Sequence, residues 1–210
     1  MTLIRRYWLA FFFVACAFCI AAASYAWLPA RIWVGRSPLG DTLMPKQIGA
    51  FILPAIGLVA TAILVAVEPR AARGAQPSST LRAYATVVAA ISAFLLYATI
   101  SVIGVAMGLE LDVVTYAMIG LGVLLMILGN SLGKITRNSV IGVRLPWTMA
   151  SEEVWLRANR LFGWLLVLGG AATIIGALIT NGVIVALCVI AAAAIVVTIY
   201  SYAIAHRLRS

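Results

Sequence analysis

Charged and catalytic side chains are scarce in this sequence. Only 10% of its 210 residues are charged, and it contains one histidine and three cysteines. Cys16, Cys19 and Cys188 lie within apolar runs without the spacing of metal ligands, which is typical of small buried side chains. A phosphate-binding glycine loop is also absent from the sequence. We therefore expect no enzymatic activity, no metal ion and no cofactor.

Apolar residues make up 64% of the sequence, far above their share in soluble domains. Six apolar runs approach or exceed the length that a helix needs to cross a hydrocarbon core of about 30 Å. They cover approximately residues 7–28, 47–67, 83–108, 113–128, 161–180 and 183–205. The sequence predicts an all-α, polytopic membrane protein with a two-span unit over 1–82, which has a structured outer loop, and a four-span unit over 83–210.

The fifteen basic residues are distributed unevenly around these runs. Twelve lie at the two chain ends or in the second and fourth loops, whereas Arg31, Arg36 and Lys46 lie in the first loop. Lysine and arginine near span ends are retained in the cytoplasm. We therefore predict cytoplasmic termini. We attribute the net charge of +9 to topology and anionic lipid rather than to direct nucleic-acid binding.

The most polar stretch, residues 129–164, joins the fourth and fifth spans and is called the polar loop below. It contains five of the fifteen basic residues and two of the six acidic ones. Gly142 and Pro146 predict a defined turn. Thr148 or Ser151 is suited to cap the helix that follows. The cytoplasmic candidate site is placed in this loop for these reasons.

The helix after this cap is predicted to be amphipathic. Val154, Trp155 and Ala158 share one face, whereas Glu153 and Arg157 lie on another face at the spacing of an i,i+4 ion pair. We expect one cytoplasmic amphipathic helix here, between spans four and five, which lies along the inner membrane surface. Such a helix contacts either lipid or a partner protein.

Two side chains near the turn have open interpretations. Trp147 is suited either to the headgroup region or to a wedge against the helix bundle. Arg144 is expected to pair with Glu152 or Glu153 and so fix the shape of the loop.

The polar loop resembles the corresponding loop of the SdpI family of bacterial membrane proteins. The resemblance rests on Gly129-Asn130, Lys134, Asn138, Gly142-Val143-Arg144, Pro146-Trp147-Thr148, Ser151-Glu152-Glu153, Trp155 and Arg160. Val143 replaces an isoleucine of the family pattern, and Asn159 stands where the family commonly has histidine. The first loop is weakly similar to the N-terminal domain of unknown function that accompanies the family, although it lacks that domain's Pro-x-His.

The resemblance implies immunity to a membrane-active peptide toxin and retention of a cytoplasmic repressor by the loaded membrane protein. The expected location is the bacterial cytoplasmic membrane, and the candidate partners are lipid, a peptide toxin and a cytoplasmic repressor. The candidate inner binding residues are Asn130, Lys134, Asn138, Arg144, Pro146, Trp147, Thr148, Ser151, Glu152, Glu153, Trp155 and Arg160. The candidate outer binding residues are Arg31, Arg36 and Asp41.

The alternative function is that of a small transporter or lipid-handling protein. Ion-coupled carriers generally have an ionisable group within a span. Glu68, Glu110 and Asp112 lie at predicted span ends, which argues against such a carrier. Polar residues of the third and fourth spans either line a cavity or form ordinary helix hydrogen bonds; they are Ser92, Tyr97, Thr99, Ser101 and Tyr116.

Overall fold

A computed structural model describes residues 3–37, 40–71, 78–138 and 140–208. The helices in this part of the chain are α1 (Leu3–Ser24), α2 (Lys46–Gly49), α3 (Ile52–Ala71), α4 (Ser78–Ala106), α5 (Val113–Leu132), α6 (Pro146–Ala150), α7 (Glu152–Ile179) and α8 (Gly182–Arg207). Six of them are long and apolar enough to cross a membrane. The prediction of a helical protein with six spans is therefore confirmed. Residues 72–77, on which most of the connection between the second and third spans falls, lie outside the described residues.

The first loop forms a hairpin of two antiparallel strands, β1 (Arg31–Ser37) and β2 (Gly40–Pro45). Ile32 of β1 is only 1% exposed and packs with Leu28, Ala50 and Val102 at one end of the helix bundle. The sequence predicted a structured loop here but not its strands. The β-branched and aromatic side chains that begin β1 favour this conformation because they pack on a pleated, half-buried surface.

Helix α4 connects the two ends of the bundle. The Thr80 hydroxyl, near its start, lies 3.1 Å from the Thr136 hydroxyl of the polar loop. Val105, near its end, lines a cavity together with Trp33 of the hairpin. A helix of 29 residues is about 40 Å long, so the hairpin and the polar loop lie at opposite ends of the molecule.

Helices α5 and α7 meet in direct backbone contact at two pairs of glycines. A Cβ atom on Gly122 would lie 2.6 Å from the carbonyl oxygen of Gly170, and a Cβ atom on Gly163 would lie 2.5 Å from that of Gly129. The two glycines of each helix are seven residues apart, so the pairs lie on one seam of two antiparallel helices. Small residues permit this close approach within a membrane. Gly129 and Gly170 therefore serve helix packing.

Glu68 ends its span, as predicted, but it is buried at 3% exposure. Its carboxylate accepts a hydrogen bond from the guanidinium of Arg6. A buried carboxylate requires such a partner because an isolated charge is costly in an apolar environment. The pair joins α1 to α3 on the side of the bundle where the polar loop residue Ile141 packs.

The polar side chains of α4 form hydrogen bonds within and between helices. Thr99 and Ser101 donate to carbonyl oxygens one turn earlier in α4. Ser92 lies 2.8 Å from the Thr61 hydroxyl of α3, and the Tyr97 hydroxyl donates to the carbonyl oxygen of Tyr116 in α5. Helix hydrogen bonding thus accounts for these polar groups, and Tyr97 in addition lines an apolar cavity of about 220 Å³ between α4 and α5.

The glycine seam predicts that the same substitution at two nearby glycines has different effects on stability. Gly129→Ala should lower the free energy of unfolding by about 1 to 3 kcal/mol, because its methyl group overlaps the backbone of Gly163. Gly133→Ala should be neutral or slightly stabilising, because no atom lies within 4 Å of its Cβ position and its φ is −66°. Thermal unfolding of the purified variants in detergent measures the difference. Equal losses of stability would contradict a backbone contact at Gly129.

Candidate functional site

The turn of the polar loop is held by side-chain hydrogen bonds to its own backbone. The carboxamide oxygen of Asn138 accepts from the backbone N–H groups of Val140 and Ile141, both at 2.8 Å. The buried Thr148 hydroxyl donates to the Val143 carbonyl oxygen at 2.6 Å and accepts from the Leu145 N–H at 2.9 Å. These side chains satisfy backbone groups that have no helix or strand partner in the turn.

Trp155 and Asn159 hold this turn against the first two turns of α7. Trp155 is fully buried and donates its indole N–H to the Ile135 carbonyl oxygen at 3.1 Å. Asn159 is 2% exposed; its carboxamide oxygen accepts from the Val143 N–H at 2.9 Å, and its amide group donates to the Trp155 carbonyl oxygen. Asn159 therefore has a structural role that the sequence did not indicate.

Gly142 adopts φ 125°, a conformation that strongly favours glycine. A Cβ atom there would also lie 2.6 Å from the Asn159 carboxamide oxygen and 2.8 Å from the Trp155 ring. The turn predicted from Gly142 and Pro146 is present, and its sharpest point packs directly on α7.

Trp147 is a wedge against the bundle rather than a side chain free in the headgroup region. Its indole N–H donates to the Ser201 hydroxyl of α8 at 3.0 Å. Its ring meets the ring of Tyr202 edge to face, with centroids 5.4 Å apart. Trp147 thus fixes the short helix α6, which begins at Pro146, against the last span.

The exposed charges of the loop form pairs that differ from the expected clamp. Arg137 lies 3.4 Å from Glu152, and Glu153 pairs with Arg157 one turn later in α7, as its spacing predicted. Arg144 is exposed and forms no ion pair with any residue that the structure describes. The predicted clamp between Arg144 and Glu152 or Glu153 is therefore wrong, because the loop turns Arg144 towards solvent.

The predicted amphipathic helix is the first part of α7 and continues into the fifth span without a break. Ser151 caps it, since its hydroxyl accepts from the Val154 N–H. Val154, Trp155 and Ala158 are all buried, as the pattern predicted. This face packs on the polar loop itself and not on a lipid surface or a partner.

Three of the predicted inner residues lie together beside the seam of α5 and α7. Asn130, Lys134 and Arg160 are all exposed and line one groove of about 210 Å³. Trp164 and Val167 of α7 continue the same groove away from the polar loop. The structure thus divides the predicted inner residues into loop supports, which include Asn138, Thr148 and Trp155, and exposed groups on two separate surfaces.

The outer candidates lie on the hairpin. Arg31 is exposed at the start of β1, and Arg36 is the register partner of Asp41 across the two strands. A cavity of about 260 Å³ lies beside the hairpin, at the turn between α4 and α5. Trp33 and Asp112 line this cavity. Neither residue was among the outer candidates predicted from the sequence. The sequence signal that could have indicated this cavity was an aromatic residue, Trp33, in the predicted outer loop.

The described residues contain no group of three or more His, Cys, Asp or Glu side chains arranged to hold a metal ion. The arrangement is suited to recognition: a cavity with an aromatic wall lies beside the hairpin, and the shape of the polar loop at the other end is fixed by buried hydrogen bonds.

Comparison with known proteins connects this loop to a family. Residues 134–201, which run from the polar loop into the last span, match the model of the SdpI/YfhL protein family. The chain is also 28% identical over 162 residues to the immunity protein SdpI of Bacillus subtilis (strain 168), covering 75% of this chain and 74% of that protein. The chain thus resembles the SdpI/YfhL family, as its loop sequence predicted. It is thus a multi-pass bacterial membrane protein in contact with lipid. No solved structure matches it.

The SdpI/YfhL motif in this chain includes the side chains that build the loop. Asn138, Thr148 and Trp155 match the family pattern, and each is buried and bonded to loop backbone. Asn159, where the family commonly has histidine, serves the same purpose through Val143. The residues that carry the resemblance in this chain therefore include the supports of the loop as well as exposed side chains.

This architecture predicts different effects for a buried and an exposed substitution. Asn159→Leu should lower the free energy of unfolding by about 1 to 3 kcal/mol, because it leaves the buried Val143 N–H without its acceptor. Arg144→Ala should change stability little, because Arg144 is exposed and unpaired among the described residues. Limited digestion by proteinase K in detergent should cut the loop faster in Asn159→Leu only. Faster cutting in Arg144→Ala would contradict the exposed, unpaired position of that side chain.

Proposed function

We propose that this protein protects a bacterium against a membrane-active peptide toxin and that its polar loop binds a cytoplasmic repressor. The supporting observation is the similarity to the immunity protein SdpI, which extends over about three quarters of both chains. A match of this length includes most of the spans as well as the polar loop.

The proposed orientation places the hairpin outside and the polar loop inside. Arg137, Arg144 and Arg160 are exposed at the polar loop, in agreement with the retention of basic residues in the cytoplasm. The two ends would then have different tasks, because a secreted toxin arrives at the hairpin and a repressor at the polar loop.

The orientation is tested by labelling single cysteines in intact cells. After Cys16, Cys19 and Cys188 are replaced by alanine, a cysteine is introduced at Leu43, which is 52% exposed on the hairpin, or at Met149, which is 36% exposed in α6. A membrane-impermeant maleimide should label Leu43→Cys in intact cells, but Met149→Cys only after the membrane is permeabilised. The reverse pattern would overturn the orientation.

The cavity beside the hairpin is the proposed toxin contact. Trp33 provides an aromatic wall, Leu111 and Val113 provide apolar surface, and Asp112 provides a carboxylate at the rim. A small apolar cavity with a few polar groups is the usual form of a recognition site. Tryptophan is also frequent among the residues that contribute most to binding.

Survival of a toxin-sensitive bacterium provides the test. Expression of the wild type should raise the concentration of membrane-active peptide that the cells tolerate. Trp33→Ala should reduce this protection at least about tenfold, because a central tryptophan often contributes about 2 kcal/mol or more to an interface. Trp27→Ala is the matched control, since Trp27 is 72% exposed at the same end and does not line the cavity.

Membrane abundance of each variant is measured in parallel by immunoblotting. Equal protection by the wild type and Trp33→Ala would place toxin contact elsewhere. Absence of protection by the wild type against a panel of such peptides would overturn the immunity proposal itself.

The proposed repressor contact is the exposed part of the polar loop around Arg144 and Pro146. Arg144 is the centre of this surface because its guanidinium is exposed and free of ion pairs with the described residues. An unpaired arginine on a rigid loop is suited to bind a carboxylate of a partner. Arg144→Ala should therefore retain toxin protection under constitutive expression. Chemical crosslinking in cells should join the wild type, but not this variant, to the cytoplasmic repressor.

A further inference from the structure

The groove beside the glycine seam has a gradient of chemistry along its length. Lys134 and Arg160 lie with Asn130 at the end near the polar loop, followed by Trp164 and then Val167 along α7. From Arg160 to Trp164 a helix rises about 6 Å, and from Trp164 to Val167 about 4.5 Å. Charge, aromatic ring and apolar side chain therefore follow one another over a distance comparable to the interface of a bilayer.

The two cations of this groove lack carboxylate partners among the described residues. Glu152 and Glu153 line the adjoining cavity, which Arg160 also borders, but the two acids pair with Arg137 and Arg157. The C-terminal end of α5 contributes about half a negative charge near Lys134, which two whole positive charges outweigh. The groove therefore has a net positive field at its water end.

We propose that this groove binds the phosphate of an anionic phospholipid, with the headgroup between Lys134 and Arg160 and the acyl chains along Trp164 and Val167. Its volume of about 210 Å³ equals that of roughly seven water molecules, which is sufficient for a phosphate and its glycerol. Asn130 provides an additional hydrogen-bond donor. A soluble phosphate would also pair with Lys134 and Arg160, but it would make no contact with the aromatic and apolar end of the groove.

The shape of the groove follows from its glycines. The contact between Gly129 and Gly163 brings the backbones together, and the groove opens beside it. Gly133 has no atom within 4 Å of its Cβ position, so it leaves the space open. A large side chain at Gly133 would enter this space without a backbone clash, because its φ of −66° suits any residue.

Native mass spectrometry of the purified full chain in detergent measures lipid binding directly. The wild type should bind phosphatidylglycerol at least about fivefold more tightly than phosphatidylcholine, because the zwitterionic headgroup offers no net charge to the two cations. Lys134→Gln and Arg160→Gln should each remove most of this preference. Gly133→Leu should weaken the binding of both lipids, because the leucine side chain fills the groove.

Arg82→Gln is the matched control for loss of charge. Arg82 is exposed at the start of α4, at the same end of the bundle, but does not line the groove. This variant should keep the wild-type preference. An equal loss in Arg82→Gln and Arg160→Gln would overturn the proposal, because diffuse positive charge would then explain the preference.

Glycerol 1-phosphate distinguishes a lipid from a soluble phosphate. It should displace phosphatidylglycerol only at concentrations far above those of the competing lipid. Displacement at equal concentration would overturn the assignment to a lipid. Unchanged far-UV circular dichroism and thermal unfolding of Gly133→Leu would confirm that its effect comes from the filled groove, and an unaltered lipid affinity in that folded variant would also overturn the proposal. The outcome does not depend on toxin protection, since no toxin is present.

Discussion

The backbone contact between α5 and α7 is the constraint on which the polar-loop end of the bundle depends. Because Gly129 and Gly163 touch, the chain that joins these helices must leave and return within one interhelical distance. The loop cannot relax by separating its ends. It therefore folds back on the first turns of α7, where Trp155 and Asn159 receive it. A glycine contact within the membrane thus determines the form of a polar surface outside it.

Because the loop closes in this way, some of its backbone N–H and C=O groups have no hydrogen-bond partner in a helix or strand. The side chains of Asn138, Thr148 and Asn159 form the missing hydrogen bonds, and each of them is buried. A buried polar group without a partner costs about 1 to 3 kcal/mol, so these three side chains decide whether the turn is stable. The exposed cations contribute little to this stability because surface ion pairs contribute at most about 1 kcal/mol.

The six spans could be predicted from the sequence because a bilayer requires long apolar helices, and length and composition reveal them. The ion pair of Glu153 and Arg157 and the buried face of Val154 and Ala158 followed from helical periodicity. The environment of Arg144 could not be predicted in the same way. Its neighbours depend on how the turn at Gly142 packs on α7, which is a contact between segments and leaves no local pattern. The strands of the first loop were missed for a related reason, since Ile32 is stabilised by helices distant in sequence.

The division between loop supports and exposed groups changes what the resemblance to the SdpI/YfhL family implies about this chain. In this chain Asn138, Thr148 and Trp155 form the internal hydrogen bonds of the loop, so they account for its shape and not for its partner. The proposed recognition groups, Arg144 on the loop and Trp33 at the other end of the bundle, are not part of this frame. Arg144 and Trp33 lie near opposite ends of the bundle that α4 connects. A change of partner at one end therefore requires no change in the buried contacts at the other end. The proposed toxin contact and the proposed repressor contact can therefore vary independently on one scaffold.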